Sequence, residues 1–488
     1  MFRILVEKEL KSILFGPKFI VTFSVCSVLI LLSVFVGIQN YRATVDQYEA
    51  GISLTDQEMQ ERTSYRSLGT RVFREPDPMQ IFVSGIQNDI GRFSLIRSDE
   101  PVKLEHSIYS DDPIFAVFRF IDLTFIVQIV LSLFAILFTY DAINGEREMG
   151  TLKLTFANPI PKIQYIVAKF IGSWVGLVIP LTIPILMSFL LVIVFRIPLT
   201  GDHWTKLTAY VTVSFLYFTF FIVLGLMVSA MTKRSAVSFL LLLIVWVSFV
   251  LIIPRFSVMA AGKIMPVPSS AEIDGRVDAY SKERWEKYIK DLEDTWQERN
   301  REMEGMSREE REAYRDTHLW EWMEQEDATR KDMQAEIQNM SRKLMEDLQN
   351  RKAEQERLAF TLSRFSPASS YQLAAMDLAG TDIGVKMRYQ QAMEDYHDNF
   401  VAYTDKKHKE SGGGSDGIRI TVDSETGFSF DLGKDVRLDL SDMPRFQQPV
   451  QTFFETLSQT SIDLGLLILY SVIALAGTFV AFLKYDVR

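Results

Sequence analysis

Leu207–Thr232, LTAYVTVSFLYFTFFIVLGLMVSAMT, and Ser235–Pro254, SAVSFLLLLIVWVSFVLIIP, contain no Asp, Glu, Lys or Arg, and only Lys233 and Arg234 separate them. An α-helix rises about 1.5 Å per residue, so about 20 apolar residues cross a hydrocarbon core of about 30 Å. Each run is long enough to do so, and the basic pair between them has room only for a tight turn. Four further uncharged runs follow the same rule: Phe19–Ile38, Leu123–Tyr140, Phe170–Phe195 and Leu464–Leu483. A soluble core has no use for six such helices. The chain is 48% hydrophobic and 23% charged over 488 residues, and the charges fill the gaps between the runs. These features define an α-helical polytopic membrane protein with six transmembrane helices.

The first run exceeds a signal-peptide core of about 7–15 residues and has no small-residue cleavage site after it, which makes it a retained span. Cys26, the single cysteine, lies inside that span, so no intramolecular disulfide can form. The net charge of −10 argues against a nucleic-acid partner. Orientation follows from basic residues in the short loops. With a cytoplasmic N-terminus, Arg3, Lys8, Lys11 and Lys18 lie inside, followed by Arg147, Lys153, Lys162 and Lys169, then Lys233 and Arg234, then Lys484 and Arg488. The one short outer loop holds only Arg196 and Lys206. Both termini are therefore expected in the cytoplasm.

The resulting division is a helix over 1–18 at the membrane surface, spans one to five over 19–254 with an outer loop at 39–113, an extracytoplasmic domain at 255–461, and the last span with its tail at 462–488. From Ala271 to Leu362 apolar residues recur at helical spacing, including Trp285, Leu292, Trp296, Ile337 and Leu344, and Glu304–Ser307 interrupts the pattern. The pattern predicts a long helical hairpin packing on itself. A shorter helical region follows from Ser369 to Tyr403. Ser411–Gly417, SGGGSDG, has linker composition, and Ile418–Val422, Phe428–Leu432 and Val436–Leu440 alternate like strands of a small β element. The extracytoplasmic domain is thus expected to be mostly helical.

Between the second and third spans lies Asp141–Lys169, DAINGEREMGTLKLTFANPIPKIQYIVAK. Glu146 and Glu148 suit the start of a short helix, where the helix dipole favours negative charge, and Met149, Leu152 and Leu154 supply an apolar face. Pro159 and Pro161 break the chain before the next span. Residue chemistry alone leaves this a surface helix or a solvated loop.

This block resembles the signature of ABC-2 type transporter permeases, with Glu146, Arg147, Glu148, Gly150 and Thr151 matching its acidic element and Pro159 and Lys169 following. The resemblance implies that 141–169 is a coupling segment docking on separate ABC ATPase subunits and that 1–18 is an interfacial connecting helix; Lys233 and Arg234, in the tight turn on the same side, are expected to make a second cytoplasmic contact. Phe365–Asp382, FSPASSYQLAAMDLAGTD, is similar to a motif of the subgroup with a large extracytoplasmic insert before the last helix, through Ser366, Pro367, Gln372, Ala379, Gly380, Thr381 and Asp382. Arg74–Gly91 resembles the outer loop of that group. The resemblance further implies a second permease protomer, identical or paralogous, a bacterial cytoplasmic (inner) membrane, contact with membrane lipid, a periplasmic partner, and export as the direction of transport.

Gly145 and Gly150 have the glycine spacing of a phosphate-binding loop, but Thr151 and Leu152 stand where Lys and Ser or Thr are required. ATP and Mg are therefore expected in the partner ATPase, with no cofactor and no catalytic role here. His106, His203, His318, His397 and His408 have no metal-ligand spacing. Gly172 and Gly176 form a GxxxG pair that suits a helix-packing face. Arg119 and Asp122 suit a structural ion pair at the end of the second span. A sensor or scaffold that binds a partner through its outer helices is the reading from another class.

Overall fold

The computed structural model describes residues 1–62, 65, 68–86, 93–97, 104–105, 122–410, 418–423, 427–432 and 438–484. Among them, 6 helices are long and apolar enough to cross a membrane: Pro17–Gln60, Leu123–Glu148, Lys162–Val194, Gly201–Met231, Ser235–Ile264 and Phe453–Leu483. The helices used below are α1 (Phe2–Leu14), α2 (Pro17–Gln60), α3 (123–139), α4 (Asn144–Glu148), α5 (Thr151–Phe156), α6 (Lys162–Val194), α7 (Gly201–Met231) and α8 (Ser235–Ile264). They continue as α9 (Ser270–Glu302), α10 (Arg308–Ser363), α11 (Pro367–Ala379), α12 (Gly384–Glu410) and α13 (Phe453–Leu483). Arg119 and Ser411–Gly417 lie outside the described residues, and the pairing expected of Arg119 with them.

Helix α2 does not stop where its apolar run ends. Its 44 residues extend about 66 Å, twice a hydrocarbon thickness. The polar half carries an antiparallel sheet of β1 (Thr70–Phe73), β2 (Phe93–Ile96) and β3 (Leu104–Glu105). Gly51 permits this docking, and Gly37, still in the apolar run, lets the 3-10 turn Pro78–Ile81 lie against the same helix. A Cβ on Gly37 would stand 2.5 Å from the Ile81 carbonyl oxygen, and one on Gly51 would stand 2.5 Å from the Phe73 ring.

The chain forms two compact units, Met1–Arg255 with Ser363–Arg488, and Phe256–Leu362. The stretch 255–461, expected as one outer domain, is therefore divided, because its second part packs on the spans. Helix α11 (PASSYQLAAMDLA) is the reason. Its small side chains let it lie against α7 and α13 with Ala368, Tyr371, Ala374, Ala375 and Leu378 fully buried. Tyr371 stacks on Tyr217 with ring centroids 4.5 Å apart, and Tyr217 lies halfway along α7. Ser366 caps the helix by accepting from the amides of Ala368 and Ser369, Pro367 fills the first turn, and Gly380 closes it in the left-handed conformation (φ 64).

Spans α3 and α8 each contain a π-helical stretch, Ile126–Leu131 and Val247–Ile252. Such stretches free carbonyl groups from the regular ladder. The freed groups are used here: Tyr217 donates to the Gln128 carbonyl at 2.9 Å, and the Ser366 hydroxyl donates to that of Phe249.

In the unit Phe256–Leu362, α9 and α10 run antiparallel. Ile273, Met303, Met333 and Leu348 are buried in their seam. The Arg299 guanidinium sits 5.6 Å from the Trp296 ring and 4.7 Å from the Trp322 ring and donates to Gln325. Trp285 and Trp296 stay 40% exposed, because two helices alone cannot cover an indole.

Strands β4 (Ile418–Asp423) and β5 (Gly427–Leu432) pair antiparallel, with Ile420 opposite Phe430. Of the third expected strand, Val436–Leu440, residues 438–440 form none. Leu438 and Leu440 instead pack with Met443 and Phe446 on a core built from Met59, Val72, Ile96, Tyr389, Met393 and Phe400.

Candidate functional site

The segment after α3 is two short helices rather than one. Gly150, with φ 75, sits between α4 and α5 in the left-handed region, and nothing lies within 4 Å of the place a Cβ would take. Its glycine is therefore required by backbone conformation, not by close approach of another chain segment. The Thr151 hydroxyl donates to the Glu146 carbonyl at 3.1 Å, closing the link.

Glu146 points inward and is 8% exposed. Its carboxylate accepts from Lys169 Nζ at 3.1 Å, Lys8 Nζ at 2.8 Å and the Tyr165 hydroxyl at 2.7 Å. Lys169 also donates to Glu9 Oε2 at 2.5 Å, and Ser173 to Glu9 Oε1 at 3.4 Å. Two carboxylates and two ammonium groups thus join α1, α4 and α6 in a cluster of zero net charge. Glu9 and Lys169 are 6% and 7% exposed, so little water screens their pairing.

Helix α1 reaches this position over the GxxxG pair. A Cβ on Gly172 would stand 2.6 Å from the Glu9 Cβ, and one on Gly176 3.4 Å from the Ile13 side chain. The packing face read from Gly172 and Gly176 is therefore occupied by this chain's own N-terminal helix. Sequence reading did not single out Glu9, although its spacing to Ile13 equals that of Gly172 to Gly176. The match becomes visible only once the two helices are known to be neighbours.

Glu148 has a different task. Its carboxylate accepts from the Ser235 amide at 2.9 Å and the Ser235 hydroxyl at 2.8 Å, capping the N-terminus of α8. Beside it, Asn144 donates to the Thr232 hydroxyl at 2.9 Å, and Ser229 accepts from the amides of Ile143 and Asn144. The α4 segment is thus bolted to the turn that bears the exposed Lys233 and Arg234. Beneath α5, Leu152, Tyr165, Ile166 and Phe482 form one apolar cluster, in which Tyr165 stacks on Phe482 at 5.3 Å. Leu152 is buried, whereas Met149 and Leu154 are 72% and 71% exposed. Arg147 is half-buried. The anchored segment therefore presents two uncovered apolar side chains.

The second group of sequence-selected residues lies elsewhere, around α11, and is mostly helix punctuation. Gln372 is buried, and the Thr381 carbonyl accepts from the Ile86 amide at 3.1 Å. Gly85 adopts φ 49 directly against Thr381, so the loop beginning at Arg74 and the Gly380–Asp382 stretch dock on each other. Asp382 pairs with Arg388 at 2.6 Å. Arg364 makes two 2.9 Å bonds to the buried Asp463 of α13, and its carbonyl accepts from the Tyr470 hydroxyl. Burial, followed by the charges of Asp382 and Asp463, pushes the Asp377 carboxyl up to about 8. Asp122 accepts from the Phe125 and Ser84 amides at 2.8 Å each, acting as a helix cap.

No curated protein matches the chain. The family model for ABC-2 family transporter protein matches residues 3–487, nearly the whole length, and the chain belongs to that family as a transporter membrane protein.

Proposed function

We propose that this chain is the permease subunit of an ATP-driven ABC-2 exporter, working with separate ATPase subunits in a bacterial cytoplasmic membrane. Both termini, the α4–α5 segment and the Lys233–Arg234 turn face the cytoplasm in this reading, as the basic residues of the short loops favour. The observation that carries the proposal is the anchoring of α4–α5 on two sides while Met149 and Leu154 remain uncovered. A segment that receives force from an ATPase needs an apolar contact surface and stiff links to the spans. Glu146 supplies one link through Lys169 to α6, and Glu148 the other through Ser235 to α8. Both carboxylates thus act as positioning residues behind the contact, and Met149 and Leu154 make it. Closure of the ATPase pair would then tilt α6 and α8 together. ATP and Mg would bind the ATPase subunits, and a second permease protomer would complete the transporter.

The test uses membranes from cells that co-express the chain with its ATPase subunit. Exchanging Met149→Glu together with Leu154→Glu should abolish co-purification of the ATPase while the chain inserts normally. Retention of the ATPase at wild-type levels would show that the exposed pair is not the contact.

A further inference from the structure

The distal part of the α9–α10 hairpin combines two features that its own packing does not use. The first is charge. Glu302–Asp327 holds ten carboxylates against three arginines, a net −7, whereas Ala328–Arg357 holds six carboxylates against seven Lys and Arg, a net +1. Most of the chain's net −10 is thus concentrated at one end of the hairpin. The second is an apolar patch on α10, where Trp320 is 78% exposed, Met323 54% and Leu319 44%.

The hairpin does not need that patch. Its inner face is made by Tyr314, His318 and Trp322, four residues apart and in ring contact in sequence at 4.2 and 6.0 Å between centroids. Trp322 completes the seam against Trp296 at 6.3 Å. With about 100° per residue, Trp320 lies opposite His318 on the helix. Asp316 and Glu324, one turn before and after Trp320, are exposed and flank the patch with negative charge. A large exposed indole beside a Met and a Leu is the composition of a binding anchor rather than of a solvated face.

We propose that this face of the hairpin docks into an apolar groove rimmed by lysine or arginine on a protein partner. Charge decides among occupants. A second copy would bring −7 against −7, and an anionic lipid surface would repel the same carboxylates, whereas a basic groove complements them. The anchors Leu319, Trp320 and Met323 fall at the spacing by which a helix fills such a groove. This inference is independent of how α4–α5 meets an ATPase.

The test uses the full chain in detergent and, as probe, a fluorescent 21-residue amphipathic helical peptide of Lys and Leu. Trp320→Ser with Met323→Ser should weaken peptide binding at least about tenfold. Asp316→Asn with Glu324→Gln should weaken it and flatten its salt dependence. Met345→Ser with Glu346→Gln, on the charge-balanced part of α10, should leave it unchanged. Equal binding by all variants would overturn the proposal, as would equal binding of a Lys and Ser peptide, which would reduce the effect to counter-ion attraction. A Trp320→Cys chain in a Cys26→Ala background reads the other occupants. Disulfide-linked dimers, or shielding of the thiol by phosphatidylglycerol vesicles, would assign the face to a second copy or to lipid and refute a basic protein groove.

Discussion

Replacing Lys169 by Met removes the cation that holds α1, α4 and α6 together while keeping the length of the side chain. Removing one partner of a buried ion pair costs about 3–5 kcal/mol, because the charge left behind is neither solvated nor paired. Glu146 would keep Lys8 at 2.8 Å and the Tyr165 hydroxyl at 2.7 Å. Among the described residues, Glu9 would keep only Ser173 at 3.4 Å. The loss therefore falls mainly on Glu9, which places the expected cost at the low end, about 3 kcal/mol. Unfolding entropy near a midpoint is about 2.1 cal/mol/K per residue, about 1 kcal/mol/K for a chain of 488 residues, so a fall of about 3 °C is expected. Scanning fluorimetry of the detergent-solubilised chain would measure it. The double variant Lys169→Met with Glu9→Gln removes the orphaned charge and should regain at least half of the loss, since a neutral pair avoids the uncompensated burial. A single-variant midpoint within about 1 °C of wild type would refute the claim that Lys169 compensates a buried carboxylate. A double variant no better than the single would refute the assignment of the loss to Glu9.

Two other perturbations test local physics. Gly150→Val places a β-branched residue at φ 75 and should destabilise the chain by about 1–2 kcal/mol or more, while Gly150→Asn should cost less. Equal midpoints for Val, Asn and wild type would mean that the left-handed link is not maintained. Asp377, facing Arg364, Arg388, Asp382 and Asp463, has its carboxyl pushed up to about 8. A raised folded-state value means that the unfolded chain releases its proton first, so the contribution to stability is full below the ordinary carboxylate value of about 4 and is lost as pH rises to about 8. Asp377→Asn should therefore raise the midpoint near pH 8 and leave it unchanged near pH 4. An equal effect at both pH values would reject the buried neutral carboxyl.

The sequence by itself determined what depends on composition along one element. Six spans were legible because crossing a hydrocarbon core demands about 20 uncharged residues in a row, a requirement no neighbour can relax. The run ends at Ile38 told nothing of the further 22 helical residues to Gln60, because outside the hydrocarbon a helix no longer needs to be apolar. Residue chemistry left Asp141–Lys169 open between a surface helix and a solvated loop, and only its resemblance to a family signature singled out Gly150, whose left-handed backbone the structure supplies. What only the tertiary structure decided is which way each carboxylate faces. Glu146 and Glu148 are two residues apart on a five-residue helix, too short for periodicity to separate an inner from an outer face. Their fates depend on Lys169, Lys8 and Ser235, which come from other elements and up to 138 residues away. The same holds for α11, whose small residues read equally well as a soluble helix. Its place among the spans follows from Tyr217, which stacks on Tyr371, and from Gln128, which donates to the Ala368 carbonyl at 3.3 Å, partners that become neighbours only when the bundle closes.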